Sequence, residues 1–145
     1  METTFDESKA IPLHEGIFTW PPAKSHLIGS KCTGCGEIYF PRKGGCLNPV
    51  CPGGEMKDVE LSNRGKLYSY VKMQYVPPAP FDKIHSEVPF GVGLVELSEG
   101  VIVVAKLTTC DPAELKVGRP MEMVIQKFYT DEAGKDVVSY KFKPI

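Results

Sequence analysis

Residues 31–51 read KCTGCGEIYFPRKGGCLNPVC and carry four of the five cysteines of this chain. These are Cys32, Cys35, Cys46 and Cys51, in the pattern C-x2-C-x10-C-x4-C. Two cysteine loops joined by a short segment can place four thiolates around one tetrahedral ion, and zinc binds such sulfurs at roughly 2.3 Å. The glycines beside Cys35 allow the first loop to turn tightly. The spacing therefore predicts a rubredoxin-like zinc ribbon with these four cysteines as the metal ligands.

The identity of the metal and the completeness of the site are separate questions. An iron site of the rubredoxin type competes with zinc, because four thiolates also suit iron. The gap between Cys46 and Cys51 is wider than the usual x2 knuckle, so a site with three thiolates, or a lost site, is an alternative to a complete tetrahedron. Four protein ligands leave no position for water or substrate, and such closed sites are structural. The pattern therefore favours a structural zinc ion.

The composition favours one folded domain, or two small ones sharing a core, because 42% of the 145 residues are hydrophobic. The 17 basic and 18 acidic side chains give a formal net charge of -1. The chain therefore lacks the excess positive charge that is typical of nucleic-acid-binding domains. No apolar run is long enough to span a membrane, and residues 1–4 do not begin a signal peptide. Clustered free cysteines suit a reducing compartment, so the predicted location is cytoplasmic.

The chain divides into three predicted segments, namely an N-terminal helical segment at 1–28, the zinc ribbon at 29–57 and an OB-fold domain at 58–145. In the first segment, apolar residues between Ile11 and Trp20 recur near helical spacing, and the two prolines that follow would end such a helix. A single short helix cannot bury its own apolar residues. We therefore expect it to pack on the ribbon, on the later domain or on a partner, and local core packing of Phe18 and Trp20 is an equal alternative.

Alternation of apolar and polar residues after residue 58 predicts β-strands. Five strands are expected, at 65–76, 89–97, 101–107, 121–129 and 137–142. The second and third would form a hairpin, and Asp111 would cap a single helical turn. The fold class is therefore mainly β, and the five strands predict an antiparallel barrel of the OB kind with one brief helical insertion.

No catalytic constellation is recognisable, so no catalytic residue is predicted and the chain is not expected to be catalytic alone. Cys110 stands apart from the other cysteines, and the adjacent Asp111 would oppose formation of a nucleophilic thiolate, which favours an inert buried thiol. His14, His26 and His85 are scattered, and each is expected to be a surface or packing residue instead of a base. The sequence contains no phosphate loop, dinucleotide fingerprint or metalloprotease motif.

An OB-like barrel could also bind single-stranded nucleic acid through aromatic side chains flanked by lysines. One strand offers such a set on a partly shared face: Tyr68, Tyr70 and Tyr75 with Lys66 and Lys72. The slightly acidic chain opposes this interpretation, and tyrosines on a strand commonly serve sheet packing. A nucleic-acid-binding module is therefore the minor alternative.

Several motifs resemble one known family over nearly the whole chain. They are CTGCG at 32–36, PR at 41–42, GKLYSY at 65–70, PFGVGLVEL at 89–97 and LKVG at 115–118. With the order of N-terminal segment, ribbon and barrel, they resemble the zinc-ribbon/OB-fold family of acyl-CoA-associated proteins. The chain departs from the family at the second knuckle, where CLNPVC at 46–51 replaces the frequent C-P-x-C.

This resemblance implies a companion subunit, because family members are encoded and assembled with thiolases, related condensing enzymes or acyl-CoA hydratases and usually lack the reactive residues of the partner. It implies a non-catalytic, zinc-containing accessory subunit of a heteromeric thiolase (acyl-CoA:CoA acyltransferase) complex, which would assist assembly and bind a CoA ester with its partner. The chain looks like the subset that acts in anaerobic toluene degradation, such as the small subunit of benzoylsuccinyl-CoA thiolase. A companion of a hydratase or condensing enzyme is the alternative.

Overall fold

The computed structural model describes residues 7–19, 25–79 and 88–145. In chain order, these residues form the strands β1 (Ala10–Pro12), β2 (Ile28–Cys32), β3 (Ile38–Tyr39), β4 (Met56–Glu60), β5 (Arg64–Met73), β6 (Phe90–Leu97), β7 (Ile102–Leu107), β8 (Pro120–Thr130) and β9 (Asp136–Pro144). They belong to a six-stranded and a three-stranded sheet. The helical content of this part of the chain is one 3-10 turn, Glu7–Lys9. The prediction of a mainly β fold is confirmed.

Strands β5 to β9 close into a five-stranded OB-like barrel, in the order β5-β6-β7-β9-β8 with β8 again beside β5. The β6–β7 hairpin is antiparallel, as predicted. However, β7 and β9 run parallel, with Lys106 opposite Lys141. The predicted all-antiparallel barrel is therefore wrong, and the barrel is mixed. The reason is the path of the segment between β7 and β8. This segment crosses to β5, where Gly118 N donates to Leu67 O at 2.7 Å. As a result, β9 returns beside β7 in the parallel direction.

All five predicted barrel strands are present, with small differences at their ends. The largest difference is in β5, which ends at Met73 instead of residue 76. The predicted helical insertion at 111–115 is a hydrogen-bonded turn and not a helix. Glu114 N and Leu115 N donate to Asp111 O, but residues 112–114 are a turn and no helix follows among the described residues. Asp111 nevertheless caps it, since Ala113 N donates to Asp111 Oδ1 at 2.9 Å.

The predicted N-terminal helix at 11–20 is wrong for the residues that the structure describes. The chain there forms β1, which pairs in parallel with β9. Gly16 has a φ of 76°, a left-handed conformation that ends regular helix. Phe18 then forms an antiparallel bridge with Leu27. The apolar residues therefore serve a strand and a buried core, whereas Trp20 lies outside the described residues.

The ribbon forms the smaller sheet, in the order β3-β2-β4. One buried apolar cluster joins it to the barrel. The cluster contains side chains of the barrel strands and four residues from outside those strands: Phe18, Leu27, Leu61 and Leu115. The ribbon side chains packed against it are Ile38, Phe40 and Val59. The Phe40 ring meets the Tyr140 ring of β9 edge-on, with centroids 5.9 Å apart. The shared core therefore orients the ribbon on the barrel.

Candidate metal centre

The four clustered cysteines come from the two loops of the ribbon. Cys32 ends β2, Cys35 lies in the turn that follows, and Cys46 and Cys51 lie between β3 and β4. Their Sγ atoms all lie within 4.8 Å of one another. Two of the pairs link the two loops, with 3.5 Å between Cys32 and Cys51 and 3.5 Å between Cys35 and Cys46. The wider gap before Cys51 therefore does not keep that thiol out of the cluster.

The spacing of the sulfurs fits one tetrahedral ion. A regular zinc tetrathiolate with Zn–S bonds of roughly 2.3 Å has sulfurs about 3.8 Å apart. Two of the observed separations are 3.5 Å and none exceeds 4.8 Å, which is compatible with that value. Four sulfur donors suit zinc or iron better than magnesium or calcium. The four cysteines could bind one metal ion as a closed four-thiolate site. No coordination position of the ion would then be left for a reacting water molecule.

Backbone contacts hold the first cysteine loop against the chain that leads into β4. Thr33 N donates to Glu55 O, and Glu55 N donates to Thr33 Oγ1, each at 2.9 Å. A side chain at Gly34 would overlap the carbonyl of Gly53, so the two loops can approach this closely because residue 34 is glycine. The close approach brings Cys51 next to the first knuckle.

The second loop is closed by Asn48 despite its longer gap. Val50 N donates to the Asn48 side-chain oxygen and Cys51 N donates to the Asn48 carbonyl, each at 3.1 Å. This local turn returns the chain to the cluster within the CLNPVC stretch. Leu47 and Val50 consequently project outward and are 68% and 85% exposed.

Hydrogen bonds lower the pKa of two thiols. Backbone N–H groups of Cys35 and Gly34 donate to the Cys32 sulfur and lower the pKa of Cys32 to about 7. The Tyr39 hydroxyl is the main group that lowers the pKa of Cys46. Both effects favour the thiolate, which is the form that binds a metal.

Cys51 behaves in the opposite way. Gly53 N donates to its sulfur at 3.4 Å, but burial and the neighbouring thiols outweigh that contact and raise the pKa of Cys51 to about 12. Clustered thiols resist simultaneous ionisation because their charges repel. A bound divalent cation would reverse this balance, since it attracts every thiolate at once.

Among the residues that the structure describes, Cys110, His14 and His26 do not join this cluster. Cys110 is half-buried after β7, with its Sγ 3.8 Å from Pro89 O. His14 is exposed, and His26 Nδ1 lies 3.1 Å from Leu61 O. His85 lies outside the described residues. The absence of a catalytic residue stays a prediction.

The tyrosines considered for nucleic acid do not form one stacking surface. A β-bulge at Tyr68 breaks the alternation of β5. Tyr68 is exposed as a result, whereas Tyr70 packs against the core cluster. Because the two rings no longer share a face, the geometry does not favour base stacking along this strand.

Tyr39 is a residue of the site to which sequence reasoning assigned no role. Its hydroxyl accepts a hydrogen bond from Leu47 N at 3.0 Å and lies 3.5 Å from Cys46 Sγ. The hydrogen bond with Cys46 and burial raise the pKa of Tyr39, so the hydroxyl keeps its proton. The available signal was the position of a tyrosine between the two cysteine loops, where a strand could aim it at the second loop.

Comparison with known proteins agrees with this architecture. The family model described as the rubredoxin-like zinc ribbon domain of ChsH2 matches residues 19–57. The model described as the C-terminal OB-fold domain of ChsH2 matches residues 58–126. In addition, the part of the chain that the structure describes contains no helix that is long and apolar enough to cross a membrane.

Two relatives and one solved structure show how far the similarity extends. A DUF35 domain-containing scaffold protein of Methanothermobacter thermautotrophicus is 36% identical over 90% of this chain and 96% of that protein. The benzoylsuccinyl-CoA thiolase subunit BbsA of Thauera aromatica is 30% identical over 83% of this chain and 77% of that protein. The solved structure described as Ltp2-ChsH2(DUF35) aldolase matches with a TM-score of 0.63 and 28% identity, covering 82% of this chain and 84% of that one. The chain therefore belongs to the DUF35 family, with a ChsH2-type zinc ribbon and OB-fold domain.

Proposed function

We propose that this chain is a non-catalytic, zinc-containing accessory subunit of a thiolase or a related acyl-CoA enzyme. The observation that carries the proposal is the gathering of four thiols within 4.8 Å inside a ribbon of short strands. Cys32, Cys35, Cys46 and Cys51 would hold one zinc ion. With four thiolates, the ion would contribute folding free energy and would not activate a water molecule.

The names of relatives support an acyl-CoA enzyme as the partner. One relative is named as a scaffold protein and another as a subunit of benzoylsuccinyl-CoA thiolase, and the matching structure is described as an aldolase with a ChsH2(DUF35) component. The proposed assembly is a hetero-oligomer.

The outer surface of the barrel supports contact with another protein. Aliphatic side chains on strands β5 and β7, which flank β6, are largely exposed, with Val71 at 51% and Val104 at 58%. Paired strands place them on either side of β6, beside the half-buried Val92 and Leu94. Apolar side chains grouped in this way lose water on association, which favours binding.

Four finer points belong to the same proposal. The partner would be a thiolase, and a CoA ester would be bound together with that partner. The complex would act in anaerobic degradation of an aromatic hydrocarbon such as toluene. It would be located in the reducing cytoplasm, where thiols stay available to a metal.

Affinity purification of the full tagged chain from its native host tests the proposal. We expect a thiolase to co-purify in a fixed ratio, and one zinc ion per chain by elemental analysis. Recovery of a hydratase or condensing enzyme instead would retain the accessory role and reject the thiolase. A chain that elutes alone at native concentration, and binds no purified candidate enzyme, would refute the accessory role.

A further inference from the structure

Tyr39 connects the middle of the ribbon to its second cysteine loop. It lies on β3 opposite Ser30 of the central strand, and its side chain is half-buried. Its hydroxyl oxygen is 3.0 Å from Leu47 N and 3.5 Å from Cys46 Sγ. One side chain thus contacts two consecutive residues of the loop, so it can determine where the Cys46 sulfur lies.

The direction of these hydrogen bonds follows from the groups involved. A backbone N–H only donates, so the Leu47 N–H must use a lone pair of the Tyr39 oxygen. The hydroxyl proton is then available to Cys46 Sγ. A thiolate accepts such a bond more strongly than a thiol does, because the acceptor is charged. The contact therefore becomes strongest when Cys46 is ionised, as a metal ligand must be.

We propose that Tyr39 is a positioning residue for the metal centre, donating its hydroxyl hydrogen bond to the Cys46 thiolate. The inference rests on the proposed zinc site and extends it to a residue beyond the four cysteines. Hydrogen-bonding partners of metal ligands orient those ligands and adjust the electron density on the donor atom.

The shape of the second loop explains why such a residue is needed there. The loop contains four residues between its cysteines, and its apolar side chains Leu47 and Val50 are exposed and contribute little packing. On the other side of the cluster, Cys51 receives the Gly53 N–H within its own loop. Tyr39 instead attaches Cys46 to the sheet, because β3 is paired with β2.

Replacement of Tyr39 by phenylalanine removes the hydroxyl and keeps the ring. We expect zinc to transfer to an excess of a chromophoric chelator on the order of 10-fold faster, at the lower end of the effect of outer hydrogen-bonding partners. In the cobalt-substituted chain, the sulfur-to-cobalt charge-transfer band should move to lower energy. The shift is expected because a thiolate that loses a hydrogen bond donates electron density more readily.

The matched control is Tyr140→Phe, which removes a hydroxyl that donates to Val104 O at 2.9 Å in the barrel. This variant should keep the wild-type chelator rate and cobalt spectrum, so that general loss of stability can be separated from an effect on the thiolate. Both measurements use the full chain, and thermal unfolding of the metal-loaded variants verifies that each is folded.

The outcomes separate this inference from the proposal beneath it. A faster zinc transfer with a shifted cobalt band in Tyr39→Phe alone would support Tyr39 as the positioning residue. An unshifted band would overturn the inference, even if zinc left faster, because a purely structural role would produce that result. A wild-type chain that holds neither zinc nor cobalt would overturn the metal site itself, and the role of Tyr39 with it.

Discussion

The ribbon and the barrel are both built of strands, yet different interactions hold each of them. The ribbon strands contain five, two and five residues, whereas the barrel strands contain between six and eleven. Most of the buried apolar side chains belong to the barrel strands. In the described ribbon strands β2 to β4, the buried apolar side chain is that of Cys32. The barrel is therefore stabilised chiefly by the hydrophobic effect, and the ribbon needs the metal and the packing at its base.

This difference means that damage to one region should have a distinct signature. Loss of the metal should disorder the ribbon while the barrel keeps its strands, since β5 to β9 close on themselves. Loss of barrel core packing should instead lower the stability of the whole chain, because Leu61 and Phe18 share that core. Residue-resolved hydrogen exchange can distinguish the two patterns.

The largest effect is expected from Cys32→Ser, and Cys35→Ser should behave alike. Each removes one ligand, and structural zinc contributes on the order of 10 kcal/mol to small zinc domains. We expect loss of zinc by elemental analysis, loss of amide protection in β2 to β4, and loss of partner binding, with protected amides in the barrel. Cys110→Ser is the control and should keep zinc and ribbon protection. Zinc retained at the wild-type ratio in Cys32→Ser would contradict the assignment of that ligand.

A large effect on the barrel is expected from Phe142→Ala. Phe142 is fully buried on β9, and large-to-small changes at such sites cost about 3–5 kcal/mol. Denaturant unfolding of the zinc-loaded chain, followed by far-UV circular dichroism, should show one transition with a lower midpoint, because the ribbon and the barrel share the core. A variant that unfolds only in the ribbon, with the barrel midpoint unchanged, would contradict the shared core.

A smaller effect should come from Gly34→Ala, at the contact between the two cysteine loops. The added methyl group would overlap the Gly53 carbonyl, and overpacking of this kind costs about 1–3 kcal/mol. We expect weaker zinc binding in a chelator competition, with unchanged unfolding of the barrel. Gly44→Ala is the matched control, because a Cβ there meets no atom within 4 Å. Equal zinc affinity in both variants would show that the close approach of the loops does not matter.

The cysteine spacing was enough to predict the ribbon, since two cysteine loops joined by a short segment can place four sulfurs around one metal ion. Alternation was also enough to locate the five barrel strands. Alternation does not specify which strand lies next to which, however, so the parallel pairing of Lys106 with Lys141 could not be predicted from the pattern. That pairing depends on the route taken by the segment between β7 and β8, which is a property of the assembled barrel.

The N-terminal segment and Tyr39 could not be predicted for a related reason. Three residues, Ala10–Pro12, become a strand because β9 offers them an edge, and propensity over so short a stretch is weak. The contact of Tyr39 with Cys46 requires the second loop to fold back over β3. In both cases the deciding interaction is tertiary, whereas the sequence pattern reports local structure.

The smallest effect is expected at the boundary of the two regions, from Tyr140→Phe. Its hydroxyl donates to Val104 O at 2.9 Å while its ring contacts Phe40 of the ribbon. The variant therefore keeps the ring contact and loses a hydrogen bond worth about 1 kcal/mol.

Burial raises the pKa of Tyr140, which makes the effect of this variant depend on pH. A folded-state pKa above the unfolded value of about 10 means that this stability is present below pH ~10 and is lost as the pH rises through the folded pKa. Urea unfolding at pH 8 and pH 10.5 should therefore show a difference between the two proteins that shrinks at the higher pH. Because the change lies on the barrel side, zinc content should be equal in both, and a loss of zinc in Tyr140→Phe would show that the barrel controls the metal centre through Phe40.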